Sequence, residues 1–261
     1  MSMAKDLDDG VRFAFGTLTV LRVRVTRWDR DAARAGMLFA PLVGLVVGLF
    51  AACGGGVLTL LGGSPLLAAV ATVAVPAALT RGLHLDGLAD TADALGSGKP
   101  AEDALRIMKQ SDIGPFGVLV IVFVILGQVA ALASLYGDSW AAGALGSAIA
   151  AAVGRGAMTL ACRHGVPPAR PEGLGAAVAG TIPVRVAWSV GAGLVVLSAA
   201  CGALFGTWGV LRFGAAAVIG LAAGELLLRR CRERFGGVTG DVFGALCEAA
   251  VVAALVVSAL G

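Results

Sequence analysis

The chain has 261 residues, of which 58% are apolar and only 14% charged, with a formal net charge of +3. A soluble domain carries roughly a quarter of its residues as charges, so a water-soluble globular protein is excluded, and so small a net charge gives no footing for nucleic-acid binding. Apolar runs of about 20 residues, enough to cross a bilayer at 1.5 Å rise per residue, recur along the chain.

The predicted fold class is therefore all-α: a polytopic integral membrane helical bundle whose partner is the lipid bilayer, and with which a homo-oligomer is compatible. The N-terminus, "MSMAKDLDDG", is acidic and lacks a positive n-region. The apolar run after it is short and followed by Arg22, Arg24 and Arg27, so no cleavable signal peptide is expected. Val11–Leu21 suits an interfacial amphipathic helix better than a span, and residues 1–35 read as a cytoplasmic or interfacial segment.

About seven spans follow: Gly36–Leu61, Pro65–Thr80, Pro115–Tyr136, Trp140–Cys162, Val186–Gly206, Trp208–Leu228 and Val242–Leu260. The second is short and carries Pro76, which predicts a kink or a helix running past the membrane surface. The fifth and sixth are joined so tightly that they must form a hairpin. Positive charges precede span one (Lys5, Arg12, Arg22, Arg24, Arg27, Arg30, Arg34) and lie between spans two and three (Arg81, Lys99, Arg106, Lys109). Others follow span four (Arg163, Arg170, Arg185) and span six (Arg229, Arg230, Arg232, Arg234). The alternate connections, "GGS", "GDS" and the turn near Gly206, carry none. That alternation is the positive-inside pattern, placing the N-terminus and the basic loops in the cytoplasm. Residues 1–261 form one membrane-embedded domain. Cys53, Cys162, Cys201, Cys231 and Cys247 are scattered and read as small packing residues, with no disulfide framework or zinc site.

Against this background "GLHLDGLADTADAL", residues 82–95, is anomalous. On a helix, Asp86, Asp90 and Asp93 fall within roughly 60° of arc. Three carboxylates on one face repel one another unless protonated or bridged by cations. Hard oxygen ligands suit Mg²⁺ or Mn²⁺, and Mg²⁺ combines one or two carboxylates with substrate phosphates. A solvated acidic face is the alternative; beside a membrane span, metal binding is favoured. His84 is a candidate general base or a residue that caps the helix start, and it lies about 200° round from Asp86.

"RIMKQSDIGPFG", residues 106–117, places Lys109 and Ser111 where they could contact phosphate, although a basic residue there also serves topology. Arg155 in "VGRGAM" is an intramembrane charge, either a partner for a buried acid such as Glu225 or Glu248 or a phosphate clamp. Arg163 and His164 lie in the loop "CRHGVPPARPEGLG" and are candidates for substrate binding or simply solvated. Arg212 and Glu225 look structural. In "GGVTGDVFGALCEAA", residues 236–250, the glycines allow a tight turn toward an anion, and Thr239 or Asp241 caps the next helix. Asp241 and Glu248 share a face, and an ionisable residue as deep as Glu248 is a functional candidate by default. Together the two acidic motifs suggest phosphoryl transfer at the inner membrane surface around divalent cations.

At these motifs the chain resembles the cobalamin synthase family, the adenosylcobinamide-GDP ribazoletransferases. The resemblance rests on "HLDGLADTADAL" (84–95), "IMKQSDIGPFG" (107–117), "GRGAM" (154–158), "EGLG" (172–175) and "GGVTGDVFGAL" (236–246), and runs over nearly the whole chain. It implies transfer of adenosylcobinamide phosphate from adenosylcobinamide-GDP to α-ribazole or its phosphate, releasing GMP, with Mg²⁺ required, in the bacterial inner membrane. It makes Asp86, Asp90, Asp93 and Asp241 the metal and pyrophosphate set, and Lys109, Arg155 and Arg163 phosphate contacts; His164, Ser111, Thr239 and Glu248 stay substrate-binding candidates on the reading of the residues alone. His84, Asp86 and Asp90 are the catalytic candidates, and the proton acceptor stays open between His84 and the aspartates. Family members often read M-[KR]-D-S-R-[IL]-G where this chain has Gln110 and Asp112, and often carry a second Glu where it has Val251. Two other readings are a CDP-alcohol phosphotransferase, whose DG-x-x-AR pattern lacks its Arg here, and an ion-coupled transporter using Arg155, Glu225 and Glu248.

Overall fold

The computed structural model describes residues 3–260, with side chains from residue 7 onward. The charge expected at Lys5 therefore lies outside the described side chains. Eleven α-helices and no strand are found among the described residues: α1 Met3–Leu18, α2 Arg30–Leu60, α3 Pro65–Leu79, α4 Leu83–Gly96, α5 Ala101–Ile107, α6 Pro115–Asp138, α7 Trp140–Ala161, α8 Gly173–Val178, α9 Val184–Gly202, α10 Gly206–Phe235 and α11 Gly240–Ala259.

Helix α7 is the axis of the bundle. Its alanines and glycines are buried along nearly the whole length, and small residues let neighbouring backbones approach where lipid offers no hydrophobic drive between helices. A Cβ on Gly48 of α2 would sit 2.7 Å from the Cα of Ala148, so α2 and α7 touch backbone to backbone. Outward, α2, α6, α9 and α10 present Leu49, Phe123, Val196 and Leu226 to the surroundings, as lipid-facing helices do. Helices α2, α6, α7 and α11 and the stretch Val184–Phe235 are each long and apolar enough to cross a membrane, and α3 with α4 passes the same test as a bent pair. The stretch Val184–Phe235 folds back on itself: α9 and α10 join through a 3₁₀ turn, Ala203–Phe205, and a left-handed Gly206 (φ 74°). Gly214 packs on Ala199 across that hairpin.

Three boundaries differ from expectation. The predicted interfacial helix is α1, shifted toward the N-terminus, with Phe13, Ala14 and Leu18 buried on the bundle. Helix α2 begins earlier than the apolar run, because Asp29 caps it by accepting from the N–H groups of Asp31 and Ala32. The break after α3 is not at Pro76, which sits inside the helix, but at Arg81 and Gly82, both left-handed (φ 52° and 71°). There the chain turns by 88° into α4. At 14 residues α4 is too short to span.

The bundle has two unlike ends. At one, Arg212 pairs with Asp138 at 3.5 Å beside the bare α6–α7 turn, and Trp140 and Trp208 are exposed. At the other, Arg163 meets Glu225 at 2.8 Å and lies 5.8 Å from the Trp188 ring centroid, Arg232 donates to the carbonyl of Gly165, and Arg234 to that of Lys99. Exposed tryptophans at both ends match the girdles at membrane–water interfaces.

Candidate active site

Helix α4 and the start of α11 cross in contact. A Cβ on Gly87 would lie 2.6 Å from the carbonyl oxygen of Asp241, and one on Gly244 would lie 2.9 Å from that of His84. The two acid-bearing motifs, remote in sequence, thus meet at the basic end of the bundle because each has a glycine at the crossing.

Asp86 and Asp90 line one wall of a cleft of about 880 Å³, faced by Gln110, Ser111 and Asp112 from the loop before α6. The Asp90 carboxyl is pushed up to about 7, by loss of water first and then by the charges of Asp86, Asp241 and Asp93, against which only Arg170 acts. Such an excess of negative charge on hard oxygen donors fits Mg²⁺ or a similar dication.

Asp241 does not line the cleft itself. It lies near enough to Asp90 to raise its carboxyl, accepts a hydrogen bond from Thr239 Oγ1 at 3.2 Å and pairs with Arg170 at 3.5 Å. Thr239 also accepts from the Val242 N–H as the N-cap of α11, so its hydroxyl fixes Asp241 and has no donor left for substrate. Arg170 donates as well to the carbonyl of Leu105 at 2.5 Å. The loop after α7 is tied to the "GGVTG" turn by Ala169 N–H to Val238 O at 2.9 Å and Val238 N–H to Pro167 O at 3.0 Å. Gly175 packs on Val238 and Thr239, which brings "EGLG" against the same turn.

Asp93 is engaged otherwise. Its two oxygens accept from the backbone N–H groups of Gly114 at 2.7 Å and Gly117 at 2.9 Å, capping the start of α6 as an N-terminal anion. Its first role is to fix the Gln110–Ile113 wall of the cleft. Asp93→Ala is expected to destabilise the protein by about 1–2 kcal/mol through the lost cap, with Asp93→Asn intermediate, read from thermal unfolding in detergent.

The expected cations are not gathered at the cleft. Lys109 pairs with Glu172 at 2.8 Å and holds that carboxyl below its usual range. Arg163 is held by Glu225 and the carbonyl of Leu160. His164 is exposed, its backbone N–H bonded to Ile182. Ser111 alone of the predicted contacts on that side lines the cleft.

His84 faces the other way. It is buried among the helices, and burial, with Arg155 nearby, holds its imidazole well below the usual value. Ligand atoms of His84, Cys247 and Glu248 come within 4.8 Å of one another, and Glu248 accepts from Gln128 Nε2 at 2.8 Å. Arg155 and Glu248 line a small separate cavity of about 40 Å³ within the bundle. These residues form a polar layer beneath the crossing, not part of the cleft.

Sequence reasoning missed the opposite wall, built by Gly16, Thr17, Thr19, Val20 and Leu21 with Thr80 and Arg81. The Val20 N–H bonds to Leu79 O at 2.7 Å, docking the N-terminal segment beside the α3–α4 break. The left-handed turn after the second span was the one available signal, through Gly82.

The chain matches the family described as cobalamin-5-phosphate synthase over residues 10–259. It is 42% identical to an adenosylcobinamide-GDP ribazoletransferase of Frankia casuarinae, with 95% of this chain and 94% of the relative covered. Proteins of the same description from a Nocardioides species (42% identical, 95% and 96% covered) and from Pseudomonas aeruginosa (39% identical, 96% and 96% covered) are also similar to it. No solved structure matches. With a family match that spans the bundle from α1 to α11 and includes both helices of the acid crossing, the chain belongs to the cobalamin-5-phosphate synthase family.

Proposed function

We propose that the protein transfers the adenosylcobinamide-phosphate moiety of adenosylcobinamide-GDP onto α-ribazole, or α-ribazole phosphate, giving adenosylcobalamin, or its phosphate, and GMP. This is a late step of cobalamin biosynthesis. The carrying observation is the α4–α11 crossing, which brings Asp241 near Asp86 and Asp90 of the cleft, in a chain whose relatives bear that activity in their names.

A ribose hydroxyl oxygen attacks the phosphorus nearer the cobinamide. A new P–O bond forms, the bond from that phosphorus to the bridging oxygen breaks, and its electron pair leaves with GMP. Asp86, Asp90 and Asp241 would hold Mg²⁺, which supplies Lewis-acid neutralisation of the pyrophosphate oxygens. The hydroxyl proton goes to a carboxylate oxygen of the cleft that the cation would leave free. His84, buried away from the cleft, is left with a supporting place under α4.

The orientation follows from charge: the basic end, which carries the cleft, faces the cytoplasm of a bacterial inner membrane. Detergent-solubilised protein given adenosylcobinamide-GDP, α-ribazole and Mg²⁺ is expected to release GMP with matching corrinoid product, and to stop when any of the three is withheld. Absence of GMP release from folded protein with all three present would overturn the assignment.

A further inference from the structure

Arg81 is the one Lys or Arg among the residues that line the 880 Å³ cleft. Among the described residues it is also the one non-glycine with a left-handed backbone, at φ 52°. Glycine holds that conformation freely, whereas a side chain with a Cβ is strained in it, and such strain persists where surrounding structure enforces it, often at functional sites. The enforcement is visible: Arg81 N–H bonds to Ala78 O at 3.1 Å, Gly82 N–H to Ala77 O at 2.8 Å and Leu83 N–H to Thr80 O at 3.1 Å. The turn is fully bonded on both sides of the strained residue. Its guanidinium has no ion pair or hydrogen bond among the described residues and is exposed. The cations expected at the phosphate, and the one beside Asp241, are engaged elsewhere: Lys109 by Glu172, Arg163 by Glu225 and Arg170 by Asp241.

The lining of the cleft therefore combines the acids Asp86, Asp90 and Asp112 with one cation, Arg81. A substrate that carries its own negative charge and arrives with a dication needs both, since the acids alone repel it. We propose that Arg81 binds a phosphate of the pyrophosphate-bearing substrate, held in place by the strained α3–α4 turn. Guanidinium presents paired donors to phosphate oxygens. Ser111, exposed on the facing wall, lies within the same cleft as a neutral donor. This identification rests on the function proposed above, and its test can be separated from that of the function.

The probe is inorganic pyrophosphate with Mg²⁺, its dissociation constant measured on purified protein in detergent, beside the KM values of both organic substrates. Arg81→Asn tolerates a left-handed backbone without charge, and Arg81→Lys keeps charge without the paired donors. Arg81→Asn is expected to weaken pyrophosphate binding and raise the KM for adenosylcobinamide-GDP by about 10- to 100-fold, the range for one hydrogen bond to a charged group. The KM for α-ribazole should stay unchanged, and Arg81→Lys should fall between wild type and Arg81→Asn. Arg81→Gly, which relieves the strain, should raise the melting temperature while losing pyrophosphate as Arg81→Asn does. Wild-type binding in Arg81→Asn, or equal damage in Arg81→Lys and Arg81→Asn, would overturn the proposal. A wild-type protein that binds pyrophosphate through Arg81 yet releases no GMP would sink the reaction and leave this site standing.

Discussion

Asp86→Asn and Asp241→Asn are each expected to lower GMP release more than about 100-fold, since even residues that only support metal ligands cost roughly 10–100-fold. Both should leave the protein folded, because neither side chain caps a helix: Thr239 caps α11 and Asp93 holds the start of α6. Asp90→Asn should lose activity as they do and differ from them in stability. The Asp90 carboxyl is raised to about 7 in the folded protein, against about 3.9 in an unfolded chain. The folded state therefore binds the extra proton between about pH 4 and 7, and the stability this gives, complete below the unfolded value, is lost as pH rises through 7. Asparagine never ionises and escapes that loss. In chelator-treated protein the melting temperature of Asp90→Asn should thus exceed that of wild type at pH 8, with the gap closing toward pH 5. Excess Mg²⁺ should reverse the order at pH 8 by stabilising only the wild type. Full turnover in Asp86→Asn and Asp241→Asn would end the metal assignment, and a pH-independent gap for Asp90→Asn would remove the repulsion on which it is built.

Much of this architecture was legible in the sequence, and the reason is the bilayer. Lipid forces long apolar helices whose ends stand out in hydropathy, and the alternation of basic and bare loops sorts those ends into two groups. The structure keeps Arg163, Arg232 and Arg234 at one end and the Asp138–Arg212 pair at the other. The sorting also put the two acid motifs on one side, where they meet. What periodicity could not deliver was the neighbour of each face. Asp93 shares the helical face of Asp86 and Asp90, yet its oxygens meet backbone N–H groups of α6, a contact fixed by how α6 enters the bundle. Lys109, Arg155 and Arg163 looked like phosphate ligands because they are basic and lie in or beside the spans at the end expected to face the cytoplasm. Two are tied to Glu172 and Glu225, and Arg155 is buried beside a different cavity. Arg81 looked merely topological for the opposite reason: its distinction is a backbone angle that no residue pattern announces.

Gly87→Val is expected to reduce turnover by about 100-fold or more while the protein still inserts and folds. The first added atom, the Cβ, would stand 2.6 Å from the Asp241 carbonyl oxygen and 2.9 Å from its Cα. Both are backbone atoms of α11, so no rotamer change relieves the clash and the two helices must separate. A displacement of about 1 Å at a reacting centre costs on the order of 100-fold in rate, and this one moves Asp241 away from Asp86 and Asp90. Overpacking of this kind typically costs about 1–3 kcal/mol in stability, too little to unfold a bundle whose central contacts run through α2 and α7. Gly56→Ala is the matched control, because a Cβ there meets nothing within 4 Å; it should leave turnover unchanged. Mg²⁺ affinity separates the two effects: it should fall in Gly87→Val even where the melting temperature of the metal-free protein is within a few degrees of wild type. Gly87→Val with undiminished Mg²⁺ affinity and turnover would mean that α4 and α11 need not touch for the acids to act together, and the crossing would then be a packing contact alone.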